Sequence, residues 1–278
     1  MSGSNGQAGQ ETAGMLFQAG RLADAVVAAN AAVRKAPGDL APRVLLAELL
    51  LFSGNLERAD VILDAGSVID PQAGVVIAEF RQLLRAEMAR RQQRRDGRLP
   101  EFLGEPTAAL AASLQISIAQ RAGDAAEMAL MAAKAEALRP RVEGALNGAR
   151  FDDFRDADDF HAGFFEVLTS TGKYFWIPTE RIESIQFDKP KRVRDLLWRR
   201  VSMSVRGGPD GVVYIPAIYG GDDPNLGDDL RLGRATDWIE SPEGPVRGVG
   251  QRMFLAGQDL VSVMDISEIT FDAPADAA

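Results

Sequence analysis

The sequence predicts an α+β protein of two domains, a helical repeat followed by a mostly antiparallel, β-rich domain, and three observations carry that reading. Gly20 and Pro37 return 34 residues later as Gly54 and Pro71, and Gly123 and Pro140 keep the same Gly-to-Pro spacing of 17. Near residue 150 the apolar pattern changes from helical spacing to alternation. Charge divides at the same place: residues 1–150 carry 17 Lys+Arg against 17 Asp+Glu and residues 151–278 carry 14 against 23, so the whole net charge of −9 lies in the second part. The expected organisation is a disordered tail over 1–14, a helical repeat domain over 15–150 and a β-rich domain over 151–278.

In the first repeat unit Leu22, Val26, Ala29 and Val33 fall at i, i+4, i+7 and i+11, one face of a helix, which Pro37 ends. The second unit has a helix opened by Pro42, a turn at Ser53–Asn55 and a second helix through "LERADVILDAG", an antiparallel hairpin. Small residues stand where helices would cross closely, at Ala25, Ala59, Ala32, Gly66 and Ala135. This period, with glycine in the turn and proline at the end, resembles the tetratricopeptide repeat in a degenerate form, since the early aromatic is missing and Met128 replaces a small residue. Residues 72–95 predict one longer helix with Ile77, Phe80 and Leu84 buried, and its basic end, "RAEMARRQQRRDGR", reads as a solvated face rather than as a nucleic-acid contact.

In the second part Val201, Met203 and Val205 alternate with Ser202, Ser204 and Arg206, a half-buried strand leading into a Gly-Pro-Asp-Gly turn. A hairpin is expected in "FFEVLTSTGKYFWIP" with Thr171 and Gly172 near its turn. "RIESIQFD" and "DISEITFD" share Ile-x-x-Ile-x-Phe-Asp, which suggests similar places at the ends of strand pairs. An α+β domain or a small barrel fits this pattern.

Composition excludes several functions. Without cysteine there are no disulfides, thiolate nucleophiles or Cys-ligated zinc. The N-terminus shows no export signal, and no apolar run is long enough to span a membrane, so the expected location is the cytoplasm, with no membrane partner. An acidic chain is a poor ligand for nucleic acid, and no nucleic-acid partner is expected.

The tempting catalytic feature is "DDFRDADDFH", where Asp152, Asp153, Asp156, Asp158, Asp159 and the only histidine, His161, crowd together. The run lacks the ligand spacing of a calcium loop, and it reads as an acidic linker or helix cap rather than a metal site. "GGDDPNLGDD", residues 220–229, reads as a polar surface loop. Nucleotide-binding, hydrolase and zinc-protease motifs are absent, so the chain is expected not to be an enzyme, with no catalytic, cofactor-binding or metal residue and no cofactor.

Five segments in order, "GKYFWIPTERIESIQF", "RVRDLLWRRV", "VVYIPAIYGG", "RLGRATDW" and "GVGQRMFLAGQDLVSVMDISEITF", resemble the ImpE/TagJ (SciE-type) accessory proteins of bacterial type VI secretion systems. The resemblance covers nearly all of residues 160–272, with Ile218 standing where a basic residue is usual. It implies a non-catalytic adaptor that binds the N-terminal helix of the small sheath subunit, TssB, and bears on sheath assembly or, indirectly, on recycling by the ClpV unfoldase.

Independently of the family, stacked helix pairs make a concave groove that suits an amphipathic helix. By the repeat's register the first helix of each pair lines it: Phe17, then Val44, Glu48, Leu51 and Phe52, then Ser113, Gln120 and Arg121. Leu51 and Phe52 read equally well as core between helices. The alternative readings are a general repeat scaffold unrelated to secretion and an enzyme with its site in the β-rich part.

Overall fold

The computed structural model describes residues 11–220, 225–240 and 244–273. The chain divides into two compact units, one up to Ile77 and one from Ala78 onward. The change from helix to strand falls later, between Leu138 and Gly144.

The first unit holds α1 (Ala13–Gln18), α2 (Leu22–Lys35), α3 (Leu40–Phe52) and α4 (Leu56–Ile69), a 3-10 turn over Pro71–Ala73 and the start of α5 (Gly74–Asp96). Helix α1 begins inside the stretch expected to be a tail, of which residues 1–10 lie outside the described residues. Neighbouring helices pack in chain order, α1 on α2, α2 on α3 and α3 on α4. Ala25 and Ala59 are buried at these crossings, and Gly66 is so close to Leu40 that a Cβ would come within 2.9 Å of its side chain. Ala32, expected at such a crossing, is exposed, because its side of α2 faces solvent.

The second unit continues α5 and adds α6 (Ala108–Ala122) and α7 (Ala125–Leu138), which pack as a hairpin. Gly20, Gly54 and Gly123 occupy the same place in three helical turns, with φ of 80°, 79° and 70°. At each, the glycine N–H donates three residues back, to Phe17, Leu51 or Gln120, and the next N–H donates five residues back, to Leu16, Leu50 or Ala119. A left-handed residue is what lets both orphan carbonyls be satisfied, and glycine takes that conformation without the Cβ penalty. Asn55 and Asp124 then cap the following helices by accepting from Arg58 N–H and Glu127 N–H.

Thirteen strands follow among the described residues: β1 (Gly144–Leu146), β2 (Ala149–Phe151), β3 (Phe154–Asp156), β4 (Phe164–Leu168), β5 (Tyr174–Pro178), β6 (Ile182–Phe187), β7 (Trp198–Val205), β8 (Asp210–Pro216), β9 (Thr236–Ile239), β10 (Arg247–Gly250), β11 (Met253–Ala256), β12 (Asp259–Ser262) and β13 (Glu268–Phe271). A short helix, α8 (Asp228–Arg231), precedes β9. An eight-stranded antiparallel sheet runs β2-β1-β13-β6-β7-β8-β4-β5, beside a three-stranded sheet β12-β11-β3 and a ribbon of β9 and β10. The expected hairpins are present: β4 pairs with β5 around Gly172, and β7 with β8 across the Gly-Pro-Asp-Gly turn.

The two echoing segments are not at the ends of separate pairs. They are β6 and β13, direct neighbours in the large sheet, with Ile185 opposite Ile269. Each contributes its isoleucine and phenylalanine to the same core, where Phe154 lies at the centre of an aromatic group with Phe151, Phe165, Phe254 and Phe271. No helix among the described residues is long and apolar enough to cross a membrane.

Candidate functional site

Along α5 the buried positions Phe80, Leu83, Leu84, Ala86, Glu87, Ala89, Arg90 and Gln93 follow helical spacing. This face begins apolar, with Phe80 edge-on to Trp198 at 6.1 Å, and ends charged. Trp198 Nε1 donates to Glu87 Oε2 at 3.2 Å, and Arg91 Nε reaches Glu87 Oε1, also at 3.2 Å. One turn on, Arg90 grips Glu166 of β4 with two bonds, Nε to Oε1 at 2.9 Å and Nη2 to Oε2 at 3.0 Å, and donates to the Ile218 carbonyl at 3.1 Å.

Glu166 is the hub. It also accepts from Tyr174 Oη at 2.6 Å and from Arg252, whose other nitrogen Nη1 lies 3.2 Å from Asp156 Oδ2. Asp156 Oδ1 takes the Tyr219 hydroxyl at 2.7 Å, and Asp158 accepts from the N–H groups of Phe160 and Gly248 and from Arg247 Nε at 3.0 Å. His161 lies between two carboxylates, Nδ1 3.1 Å from Asp158 and Nε2 3.4 Å from Glu166. Gly248 is required beside this cluster, since a Cβ there would lie 2.3 Å from the Tyr219 ring.

Burial opposes charge throughout, and neighbouring guanidiniums overcome it at Glu166 and Asp158 but not at Asp156. Against desolvation, Arg90 and Arg252 hold the Glu166 carboxyl well below the usual carboxylate range. Asp158 is likewise held low, chiefly by Arg247. Burial pushes the Asp156 carboxyl up despite Arg252, and it pushes the Tyr174 and Tyr219 phenols up, with the neighbouring carboxylates adding to the effect.

Chemically this is a closed brace between α5, the sheet and the segments around it. Glu166 has both oxygens committed to cations or phenol donors from inside the fold. No group of three acidic or histidine side chains among the described residues is placed to hold a metal.

The acidic run is therefore not a linker. Asp156, Asp158 and His161 are 2%, 1% and 2% exposed, and only Asp152 of the six is exposed, where it pairs with Arg141 at 3.6 Å. The linker reading rested on the place of the run at the expected domain boundary; here guanidiniums from distant segments neutralise its carboxylates inside the fold. The solvated reading of the α5 basic end fails at Arg90 for the same reason. Of "GGDDPNLGDD", residues 221–224 lie outside the described residues, and Asp228 and Asp229 open α8.

The groove residues fall into two sets. In the first unit Phe17, Glu48, Leu51 and Phe52 are buried, Phe17 and Phe52 meeting edge-on at 5.4 Å, and Val44 is half-buried. Helix α3 is buried continuously from Leu46 to Phe52. In the second unit, on α6, Ser113 is buried while Gln120 and Arg121 are exposed. Sequence reasoning missed Arg90, Glu166, Tyr219 and Arg252; the only local signal was charge at buried-face positions of α5.

Comparison with known proteins gives a consistent picture. Residues 148–270 match the ImpE protein family and residues 16–84 match the tetratricopeptide repeat. The type VI secretion system accessory component TagJ of Pseudomonas aeruginosa is 29% identical over 262 residues, covering 94% of this chain and 91% of that protein. The crystal structure of protein VPA1032 from Vibrio parahaemolyticus superposes with a TM-score of 0.89 at 24% identity, covering 96% of this chain and 99% of the other.

Proposed function

We propose, from the match of residues 148–270 to the ImpE protein family, that the chain is a non-catalytic accessory protein of a type VI secretion system, acting in the cytoplasm. Its helical part binds the N-terminal helix of the small sheath subunit, TssB, and so recruits the protein to the sheath, with an indirect bearing on ClpV-linked recycling. The observation that carries this reading is the alignment with TagJ, which runs through the helical hairpins as well as the β-rich part. A non-catalytic role is supported by the buried cluster, whose carboxylates are engaged by arginines and tyrosines of the chain itself. Helical hairpins suit a helical guest, because stacked pairs present extended surfaces to an amphipathic segment.

Fluorescence anisotropy with a labelled peptide of the sheath subunit's N-terminal helix and the full-length protein tests the reading. Saturable binding in the micromolar range is expected. Absence of saturation up to about 100 micromolar, a weak-affinity limit, removes it.

A further inference from the structure

Residues 85–98 include six arginines, Arg85 and Arg98 among them, and the fold sorts them. Arg90 enters the buried brace and Arg91 pairs with Glu87, whereas Arg95 and Arg98 are exposed at the end of α5. Helix α6 brings Arg121 to the same corner, where its Nη1 donates to the Gln93 carbonyl at 3.0 Å. Its guanidinium lies against Gly97, where a Cβ would come 3.1 to 3.2 Å from its atoms and where φ is +79°. Glycine at 97 therefore serves two needs, the left-handed turn and the close approach of the guanidinium.

Arg98 is fixed in the same manner, donating to Gln92 Oε1 at 2.9 Å. Both guanidiniums are thus held by neutral acceptors, and among the described residues neither has a carboxylate partner, so their charge is uncompensated. An ion pair at this corner, Arg95 with Asp96 at 2.9 Å, is exposed and screened by solvent. Next to Arg98, Leu99 is 69% exposed.

We propose that this corner, Arg98, Leu99 and Arg121, is a docking surface for an acidic segment of a partner protein, one that sets carboxylates beside an apolar side chain. Guanidinium forks match carboxylates in shape as well as charge. Held in place before binding, they lose less freedom on complex formation. Leu99 supplies the apolar contact that charge alone lacks. Nucleic acid fits less well: the chain carries a net charge of −9, and the exposed apolar side chain here is aliphatic, with no ring for a base to stack on. The inference does not depend on the sheath-subunit reading and is tested without that partner.

The probe is a fluorescein-labelled peptide of repeated Glu-Asp-Leu, titrated with the full-length protein at low and at physiological salt. Binding is expected to saturate, to weaken with salt, and to fall by about tenfold or more in the double variant Arg98→Glu/Arg121→Glu. Leu99→Ser should weaken it less, and Arg98→Lys/Arg121→Lys should restore only part of it. Thermal melts accompany each variant; should the double reversal unfold, Leu99→Ser and Arg98→Gln give the reading. Absence of saturable binding, affinity indifferent to these changes, or tighter binding of an oligonucleotide of equal charge overturns the proposal.

Discussion

Arg90 and Glu166, 76 residues apart in the chain, meet through two parallel hydrogen bonds of 2.9 and 3.0 Å with both side chains out of solvent. The pair joins α5 to β4, so the second half of α5 belongs physically with the sheet. Removing one partner leaves the other charged, buried and alone.

Arg90→Met should therefore destabilise the second unit by about 3 to 5 kcal/mol. The fluorescence of Trp176 and Trp198, both buried in that unit, follows its unfolding in urea. An unchanged midpoint would show that the pair does not hold α5 in place.

Acid should act through the same brace. A carboxyl held low in the folded state contributes stability that is fully present above its unfolded value, about 4, and is lost as pH falls through the folded value. Glu166 and Asp158 are of this kind. Asp156, pushed up by burial, works the other way: its contribution is present in acid and is lost as pH rises through its folded value. Two depressed groups outweigh one raised group, so the urea midpoint should fall below about pH 4. Glu166→Gln should be less stable at neutral pH and should lose less on acidification; parallel curves for both proteins would clear Glu166 of the effect.

Leu51 and Phe52 are 1% and 3% exposed. Leu51→Ala or Phe52→Ala should cost about 2 to 5 kcal/mol by opening a cavity. A melting temperature that stays put while affinity for a guest helix drops would return these residues to a binding surface.

The turn glycines can be tested without steric confusion at Gly123, where a Cβ would meet nothing within 4 Å and φ is +70°. Gly123→Ala should cost roughly 1 to 2 kcal/mol from backbone conformation alone, and Gly123→Asn less. Equal stability of all three proteins in thermal melts would show that the left-handed turn is not retained in solution.

A fragment ending at residue 150 keeps Arg90 and Glu87 but loses Glu166 and Trp198. It should show a mobile α5 and α6–α7 region by amide exchange, while the chain from Ala78 onward keeps its brace. Full protection of Arg90 and its neighbours in the shorter fragment would contradict this.

What was legible in the sequence was local. Glycine in a turn, proline after a helix and alternation in β7 report short-range geometry, and each of these features stands in the fold where the sequence put it. The brace was not legible, because Arg90, Glu166 and Arg252 are ordinary charged residues until distant segments meet. The basic end of α5 looked solvated for that reason, and the acidic run looked like a linker. Charge pattern on one segment says nothing about the partner another segment brings to it.

Strand β1 lies beside β13, with Gly144 opposite Phe271, Ala145 opposite Thr270 and Leu146 opposite Ile269. The polypeptide thus enters and leaves this sheet at one edge of one ladder, and that geometry governs how the sheet answers to force. A pull applied at its two ends loads the bond from Asp272 N–H to the Glu143 carbonyl first, then the Gly144 and Phe271 pair, and opens the following pairs one after another, as a zipper opens. Sheets whose ends lie at opposite poles must shear many bonds together; this one yields stepwise, and its mechanical resistance is that of a single rung at a time.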